Sequence, residues 1–162
     1  MLEAMDKSFS LRPVEKADVP HFFDQARDQE AVRMAMPAHA AANWSEFSKK
    51  WDHSLSGDDF LCRSVICGSD VAGYLAKFTQ MEVPSVSYWF GRKFWGQGLA
   101  RRSLQQFLAL IDTRPLYARV ASSNAASLSV LTLNGFHQIE TASYFSDFCG
   151  QYVSEAVLRL DD

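Results

Sequence analysis

Val86-Ser87-Tyr88-Trp89-Phe90-Gly91-Arg92-Lys93-Phe94-Trp95-Gly96-Gln97-Gly98-Leu99-Ala100 is the stretch on which the reading of this chain turns. Val86 to Phe90 is rich in the aromatic and β-branched residues that suit a pleated strand. Two glycines then flank Gln97, and beyond Ala100 apolar residues recur at Leu104, Phe107, Leu108 and Ile111, the spacing of a helix buried along one face. A strand, a Gly-x-Gly turn and an amphipathic helix therefore follow one another. The start of such a helix offers unpaired N–H groups and the positive end of a dipole, which together favour a bound phosphate. Glycine lets a ligand come close to the backbone.

Spacing tests which phosphate loop this is. A dinucleotide-binding GxGxxG or GxGxxA beginning at Gly96 needs a small residue where Arg101 stands, and it needs a preceding βαβ unit. A phosphate loop of the GxxxxGK(S/T) type beginning at Gly91 finds its second glycine at Gly96 but then meets Gln97-Gly98. Both fail. Charge nevertheless points to an anion. Arg92, Lys93, Arg101, Arg102, Arg114 and Arg119 lie between Gly91 and Arg119 against Asp112 alone, in a chain whose net charge is −3. A compact phosphate-bearing ligand suits so local a basic segment better than duplex nucleic acid, which calls for a wider basic face.

Upstream of the quoted stretch, Phe60 to Ile66 and Val71 to Thr79 alternate with period two, so with Val86 to Phe90 they form an antiparallel meander with a turn near Pro84. Before them come a short strand over Ser8 to Val14, a helix behind Lys16-Ala17-Asp18 carrying Val19, Phe22, Phe23 and Ala26, and a second helix from Gln29 to Met36. A third runs through Phe47, Trp51 and Leu55, capped by Asn43 or Ser45. Downstream, Pro115 is expected to close the amphipathic helix. Leu116 to Val120 is a strand, Ala125 to Leu133 a helix ended by Asn134-Gly135, and Phe136 to Thr141 and Val153 to Leu160 are the last strands. The order β-α-α-α-β-β-β-α-β-α-β-β predicts a mixed α/β fold, one sheet flanked by helices.

Composition bounds the rest. At 162 residues, 48% hydrophobic and 22% charged, the chain suits one globular domain, expected over 9–162 behind a tail at 1–8. The residues Met1 to Lys7 lack an apolar signal region, and no apolar run spans a bilayer, so a cytoplasmic protein without membrane contact is expected. Cys62, Cys67 and Cys149 show neither disulfide nor zinc spacing and read as buried thiols; no metal site is expected.

The quoted stretch resembles the acetyl-coenzyme A loop of the GNAT superfamily of N-acetyltransferases, usually Arg/Gln-x-x-Gly-x-Gly/Ala. Gly98 and Ala100 match its small positions, and Trp95 stands where Arg or Gln leads. That departure resembles the branch of ribosomal-protein N-terminal acetyltransferases (RimJ/RimL-like). A second stretch agrees: Asn124 to Phe136 is similar to that branch's N-x-x-S-x-x-V-L-x-x-x-G-F, and Leu11-Arg12-Pro13 followed by Asp18 resembles its opening strand and helix.

The resemblance implies a GNAT fold with a central, mostly antiparallel sheet, and acetyl-CoA as cosubstrate. Its pyrophosphate would lie over Gly96, Gln97, Gly98, Leu99, Ala100 and Arg101, with Arg102, Arg92 and Lys93 adding charge. Its pantetheine arm would pair with backbone groups of Tyr88, Trp89 and Phe90 and meet Asn124 and Ser127. The Phe90 amide would hold the thioester carbonyl; the tyrosine many relatives use as acid falls at Leu131, which leaves Ser127, a water, or a thiolate of pKa about 8.5 that needs little help. The strand position where relatives often carry glutamate is Ser85, so the base is open among Glu82, Glu140, Asp147 and His21.

An acceptor pocket is expected near His21, Phe22, Met34, Met36 and the loop Tyr144-Phe145-Ser146-Asp147-Phe148. The implied activity is transfer of acetyl to a primary amine by direct attack in a ternary complex. An N-terminal α-amine is favoured, a small amine is the other acceptor, and the enzyme acts as monomer or homodimer without DNA. Two other readings stand beside it: an acyl-CoA-binding regulatory module, and a single-stranded RNA binder stacking bases on Trp89, Phe90, Phe94 and Trp95.

Overall fold

The computed structural model describes residues 8–37 and 43–162. The tail at 1–8 therefore lies outside the described residues except for Ser8. Seven strands form one sheet in the order β1-β2-β3-β4-β5-β7-β6. They are β1 (Ser10–Pro13), β2 (Leu61–Cys67), β3 (Asp70–Gln80), β4 (Val83–Phe90), β5 (Leu116–Ala121), β6 (His137–Ser146) and β7 (Gln151–Leu160). Five helices accompany it: α1 (Val19–Ala26), α2 (Gln29–Ala35), α3 (Trp44–Leu55), α4 (Leu99–Leu108) and α5 (Ala125–Leu133). The mixed α/β class and the order of elements match the sequence reading. Among the described residues no helix is long and apolar enough to cross a membrane.

Alternation along the strands divides the core between the two sheet faces. On one, Val65, Leu75, Val86 and Phe90 meet Leu104, Phe107 and Leu108 of α4 and Leu131 of α5. On the other, Cys62 and Ala76 meet Val19 and Phe22 of α1 and Trp51 of α3, with the Phe22 and Trp51 rings 4.9 Å apart. Asn43 is the cap that starts α3, its side chain accepting from Glu46 N at 2.9 Å.

Every neighbouring pair of strands is antiparallel except β4 and β5, which run parallel and meet at a single register pair, Ser85 with Tyr117. Past that pair the two strands separate, and the sheet opens beside Tyr88 and Phe90. On its other side β4 stays bound to β3 along its whole length. Gly73 permits this close approach: a Cβ there would lie 2.2 Å from Trp89 O and 2.9 Å from Phe90 Cα.

Several local expectations change. The β3–β4 turn is not at Pro84 but at Met81-Glu82, both with positive φ, a two-residue hairpin loop made without glycine or asparagine. Pro84 itself pairs with Thr79, and the alternation set by the Gly91 N to Ala72 O bond points its nitrogen away from β3, where no donor is missed. Helix α4 ends at Leu108, well before Pro115, and Arg114 instead donates to the Ile111 carbonyl at 2.8 Å. Strand β6 continues to Ser146 because Tyr144 still pairs with Val153, so much of the expected Tyr144–Phe148 loop is strand. Of the three cysteines only Cys62 is buried; Cys67 ends β2 and Cys149 sits in the turn between β6 and β7, both partly exposed.

Asp18 ties the first strand to the sheet and to α1. Burial alone would raise its pKa, but bonds from Arg12 (2.6 and 2.8 Å), from Glu15 N (2.9 Å) and from Ser64 Oγ (2.6 Å) outweigh it and lower the carboxyl to about 2. A folded pKa below the unfolded value gives stability that is present at neutral pH and vanishes as pH falls. About 2 kcal/mol should be lost between pH 4 and pH 2. Urea titrations over that range should show the loss in wild type and a flatter profile in Asp18→Asn. Gly73→Ala should cost about 3 kcal/mol, since the backbone of Trp89 and Phe90, together with the Phe90 ring, stands in the way of its methyl. A melting temperature within a degree or two of wild type would contradict that.

Candidate active site

A cavity of about 340 Å³ lies where β4 parts from β5. Its walls are Ala31, Met34 and Ala35 of α2, Tyr88, Trp89 and Phe90 of β4, Trp95 with Gly96, Gly98, Leu99 and Ala100 at the start of α4, and Asn124, Ala126, Ser127 and Val130 of α5. Of the site residues expected from sequence, Tyr88, Trp89, Phe90, Gly96, Gly98, Leu99, Ala100, Asn124 and Ser127 come together here. Gln97 and Arg101 are exposed on the turn and the first helical turn and do not line the cavity. Gln97 spends its side-chain amide on Lys93 O at 3.3 Å.

The start of α4 forms a cradle that could hold an anion. Gly96 and Gly98 both have positive φ, 76° and 72°, and a Cβ at Gly96 would meet nothing within 4 Å, so the approach to the backbone is open. Gly98 caps the helix without any side-chain hydrogen bond, and the first intrahelical bond is Arg102 N to Gly98 O at 3.1 Å. The N–H groups of Leu99, Ala100 and Arg101 thus precede the helical ladder. Helix starts ordinarily gain from acidic residues. This one has none and carries Arg101 and Arg102. A bound phosphate would supply the missing negative charge.

The wider basic segment disperses. Arg92 pairs with Asp28 at 3.0 Å, Lys93 with Asp70 at 3.2 Å and Arg119 with Glu155 at 3.0 Å, while Arg114 binds backbone carbonyls. Arg92 and Lys93 line a separate cavity with His21, Asp24 and Asp28. They are held by carboxylates that lie far from them in sequence, which neither linear charge counting nor the motif reveals. Arg101 and Arg102 remain at the cradle, Arg102 stacking over Phe9 at 5.2 Å.

Along β4 the hydrogen-bond alternation assigns roles to backbone groups. Trp89 lies opposite Tyr74 in the same phase as Gly91 opposite Ala72, whose bond from Gly91 N measures 2.9 Å, so the Trp89 backbone is engaged with β3. Tyr88 and Phe90 turn theirs toward the opening. The Phe90 carbonyl there accepts the Trp95 indole N–H at 3.0 Å. Trp95, where the loop motif would carry Arg or Gln, braces the strand end by this bond. The four rings that would have stacked RNA bases are used inward: Trp89 donates to Gln25 O at 3.1 Å, Phe90 is buried, and Phe94 and Trp95 pack on the core.

Asn124 caps α5, its Oδ1 accepting from Ser127 N at 3.2 Å. The Ser127 hydroxyl does not bond its own helical turn; it lies 2.7 Å from the Tyr88 hydroxyl. The phenol is a site group that motif matching missed, because only the Tyr88 backbone had been considered. Period-two alternation was the available signal, since it sets Tyr88 on the same face as Val86 and Phe90. Leu131, at the position of the expected tyrosine, is fully buried core, and Ser85 is buried with its hydroxyl on Val83 O.

None of Glu82, Glu140, Asp147 and His21 lines the cavity, and all four are exposed. The expected acceptor pocket divides as well. Met34 lines the cavity, and Met36 accepts at its carbonyl from the Tyr144 hydroxyl, but Phe22 is core under Trp51 and His21 belongs to the other cavity. Helix α1 turns Phe22 inward to the sheet. Among the described residues no group of three His, Cys, Asp or Glu side chains could hold a metal ion.

Residues 9–137 match the family model described as acetyltransferase (GNAT) domain. The chain belongs to the GNAT acetyltransferase family. It is an acetyl-CoA-dependent N-acetyltransferase. Solved structures share its fold at low identity. A ribosomal-protein-alanine N-acetyltransferase from Brucella melitensis superposes with TM-score 0.81 at 17% identity over 94% of this chain and 99% of that one. A spermidine N-acetyltransferase from Vibrio cholerae, in complex with CoA and spermine, gives 0.80 at 13% over 94% and 95%. RimL, a ribosomal L7/L12 α-N-protein acetyltransferase, gives 0.79 at 20% over 100% and 96%. No curated protein sequence matches.

Ala100→Glu puts a carboxylate on the cradle, where it should repel a pyrophosphate yet favour the helix by a few tenths of a kcal/mol. Calorimetric titration with CoA should show affinity lost by about 100-fold, while thermal melting shows the variant as stable as wild type. Unchanged affinity would place the phosphates elsewhere.

Proposed function

We propose that this enzyme acetylates a primary amine of low pKa, an N-terminal α-amine of a peptide or protein before a small amine, by direct attack in a ternary complex. The observation that carries this reading is the cavity wall, which among the described residues contains no carboxylate and no imidazole. An acceptor reaching it must already be neutral or lose its proton to water. At pH 7 that costs a lysine ε-amine about 4.6 kcal/mol and an α-amine of pKa near 8 about 1.4 kcal/mol. The likeness of Asn124–Phe136 to the RimJ/RimL-like motif supports the same acceptor.

The residues present fit coenzyme A. The open amides of α4 with Arg101 and Arg102 suit a pyrophosphate, and the backbone groups of Tyr88 and Phe90 suit an amide-bearing arm laid along the gap in the manner of an added strand. Acetyl-CoA supplies the acyl group as a thioester. The Phe90 N–H faces the opening and serves as the donor to the carbonyl oxygen as negative charge grows on it. Asn124 retains its side-chain NH₂ for the arm while its oxygen caps α5. Ser127 presents the side-chain hydroxyl for the sulfur end of the site. Ala31, Met34 and Ala35 close the wall on the α2 side with apolar surface that keeps water from the reacting groups.

Turnover on three amines tests the acceptor. With acetyl-CoA at pH 7, kcat/KM on a peptide bearing a free α-amine should exceed that on an Nα-acetylated lysine peptide and on spermidine by about 200-fold, the ratio of neutral fractions. The gap should narrow as pH rises toward 9. A preference for spermidine or lysine overturns the acceptor, as does CoA binding without turnover of the α-amine peptide.

A further inference from the structure

Two hydroxyls face each other across the cavity floor, one from β4 and one from α5. Tyr88 Oη lies 2.7 Å from Ser127 Oγ and 3.3 Å from the Ser127 carbonyl oxygen. The tyrosine has one proton to give and two acceptors on the same residue, the nearer being Oγ. A serine within a helix ordinarily spends its hydroxyl on a carbonyl of the preceding turn. Ser127 does not: its side-chain partner among the described residues is Tyr88, and Asn124 O, one turn back, accepts Leu128 N at 3.1 Å. When Tyr88 donates to Oγ, the proton of Ser127 must point elsewhere. The remaining direction is into the cavity that both side chains line.

We infer that Tyr88 is a positioning residue for the transfer, turning the Ser127 hydroxyl so that it donates to the sulfur that leaves. The inference rests on the cofactor reading given under Proposed function. In the reaction the acceptor nitrogen bonds to the acetyl carbon, the carbon–sulfur bond breaks and its electron pair stays on sulfur. The proton that nitrogen loses is the one sulfur finally takes. Ser127 contributes a hydrogen bond to the growing negative charge, and Tyr88 fixes its direction.

The phenol is suited to holding rather than giving its proton. Burial pushes it up to about 12, a shift the Ser127 bond only partly offsets. A thiolate with a pKa near 8.5 does not take a proton from such a group, so Tyr88 stays a neutral donor throughout the working range. This also explains how the site does without a tyrosine at Leu131. The phenol comes from the strand, on the other side of the cavity, and acts through the serine.

The test reads the thiol of bound CoA, independently of any acceptor. In CoA complexes of wild type, Tyr88→Phe, Ser127→Ala and the double variant, the thiol is titrated by its thiolate ultraviolet absorbance, with the same titration of each protein without CoA subtracted. A donor aimed at sulfur favours the thiolate, so the bound thiol of wild type should titrate about one unit below its ordinary value. Tyr88→Phe should bring most of that back, Ser127→Ala the same, and the double variant no more than Ser127→Ala, because one residue acts through the other. CoA affinity should change by less than about threefold, and kcat on the amine found above should fall about 10-fold with KM for acetyl-CoA held.

A Tyr88→Phe thiol that titrates as in wild type, or shifts that add in the double variant, overturns the inference. Should Tyr88→Phe not fold, an unshifted thiol in Ser127→Ala overturns it equally. Failure of wild type to bind CoA overturns the cofactor reading instead, so the two failures are told apart.

Discussion

The parting of β4 from β5 is the constraint on which the rest of the molecule depends. A sheet normally satisfies its backbone groups on both sides of every inner strand, and leaving them unpaired among apolar side chains is costly. Here the two strands meet at Ser85 and Tyr117 and then diverge. The outward groups of Tyr88 and Phe90 face an opening. The structure manages this by fixing β4 from its other edge, where Gly73 lets β3 lie close, and by bringing the Trp95 indole onto the Phe90 carbonyl. What remains is an edge inside a sheet, suited to an extended amide-bearing ligand and bounded by two helix starts.

From that opening follows the arrangement of charge. The Gly-x-Gly turn carries the chain from the end of β4 into α4 and sets the helix start beside the gap. Arg101 and Arg102 in the first turn work against the helix dipole, an expense that makes sense beside a bound anion. The other cations of the same stretch answer to Asp28, Asp70 and Glu155. Local sequence charge and local surface charge are thus different quantities: ion pairs across the fold redistribute the first into the second.

The same distinction explains what was legible in the sequence. Element order followed from period and punctuation, because the amphipathic spacing of Leu104, Phe107 and Leu108 reflects burial directly. The cavity wall on β4, α4 and α5 was legible through two motifs whose glycines and polar residues serve backbone geometry. The turn at Met81-Glu82 was hidden because its positive φ values fall on residues that do not announce them. The inward turn of Phe22 depends on Trp51 and Tyr74, distant in the chain, and no local pattern encodes it. Of the α2 wall Met34 was expected, whereas Ala31 and Ala35 were missed for a simpler reason: small apolar residues on a short helix look the same whether they face core or cavity.

On the proposed reading, the sulfur end keeps a function while its parts move. A residue at the position of Leu131 projects from α5 toward the core between α5 and the sheet, and here that space is filled by a fully buried leucine. A hydroxyl aimed at the cavity must then come from one turn earlier on the same helix, at Ser127, or from the strand that faces it. A serine hydroxyl alone rotates freely and would be drawn to its own backbone. Placing Tyr88 opposite removes that freedom with a rigid side chain held between β4 and α5, so that the orientation of the donor is set by the packing of a strand against a helix. The same packing holds the β4 edge open, and the geometry of the donor and the geometry of the cleft are therefore one property of the fold.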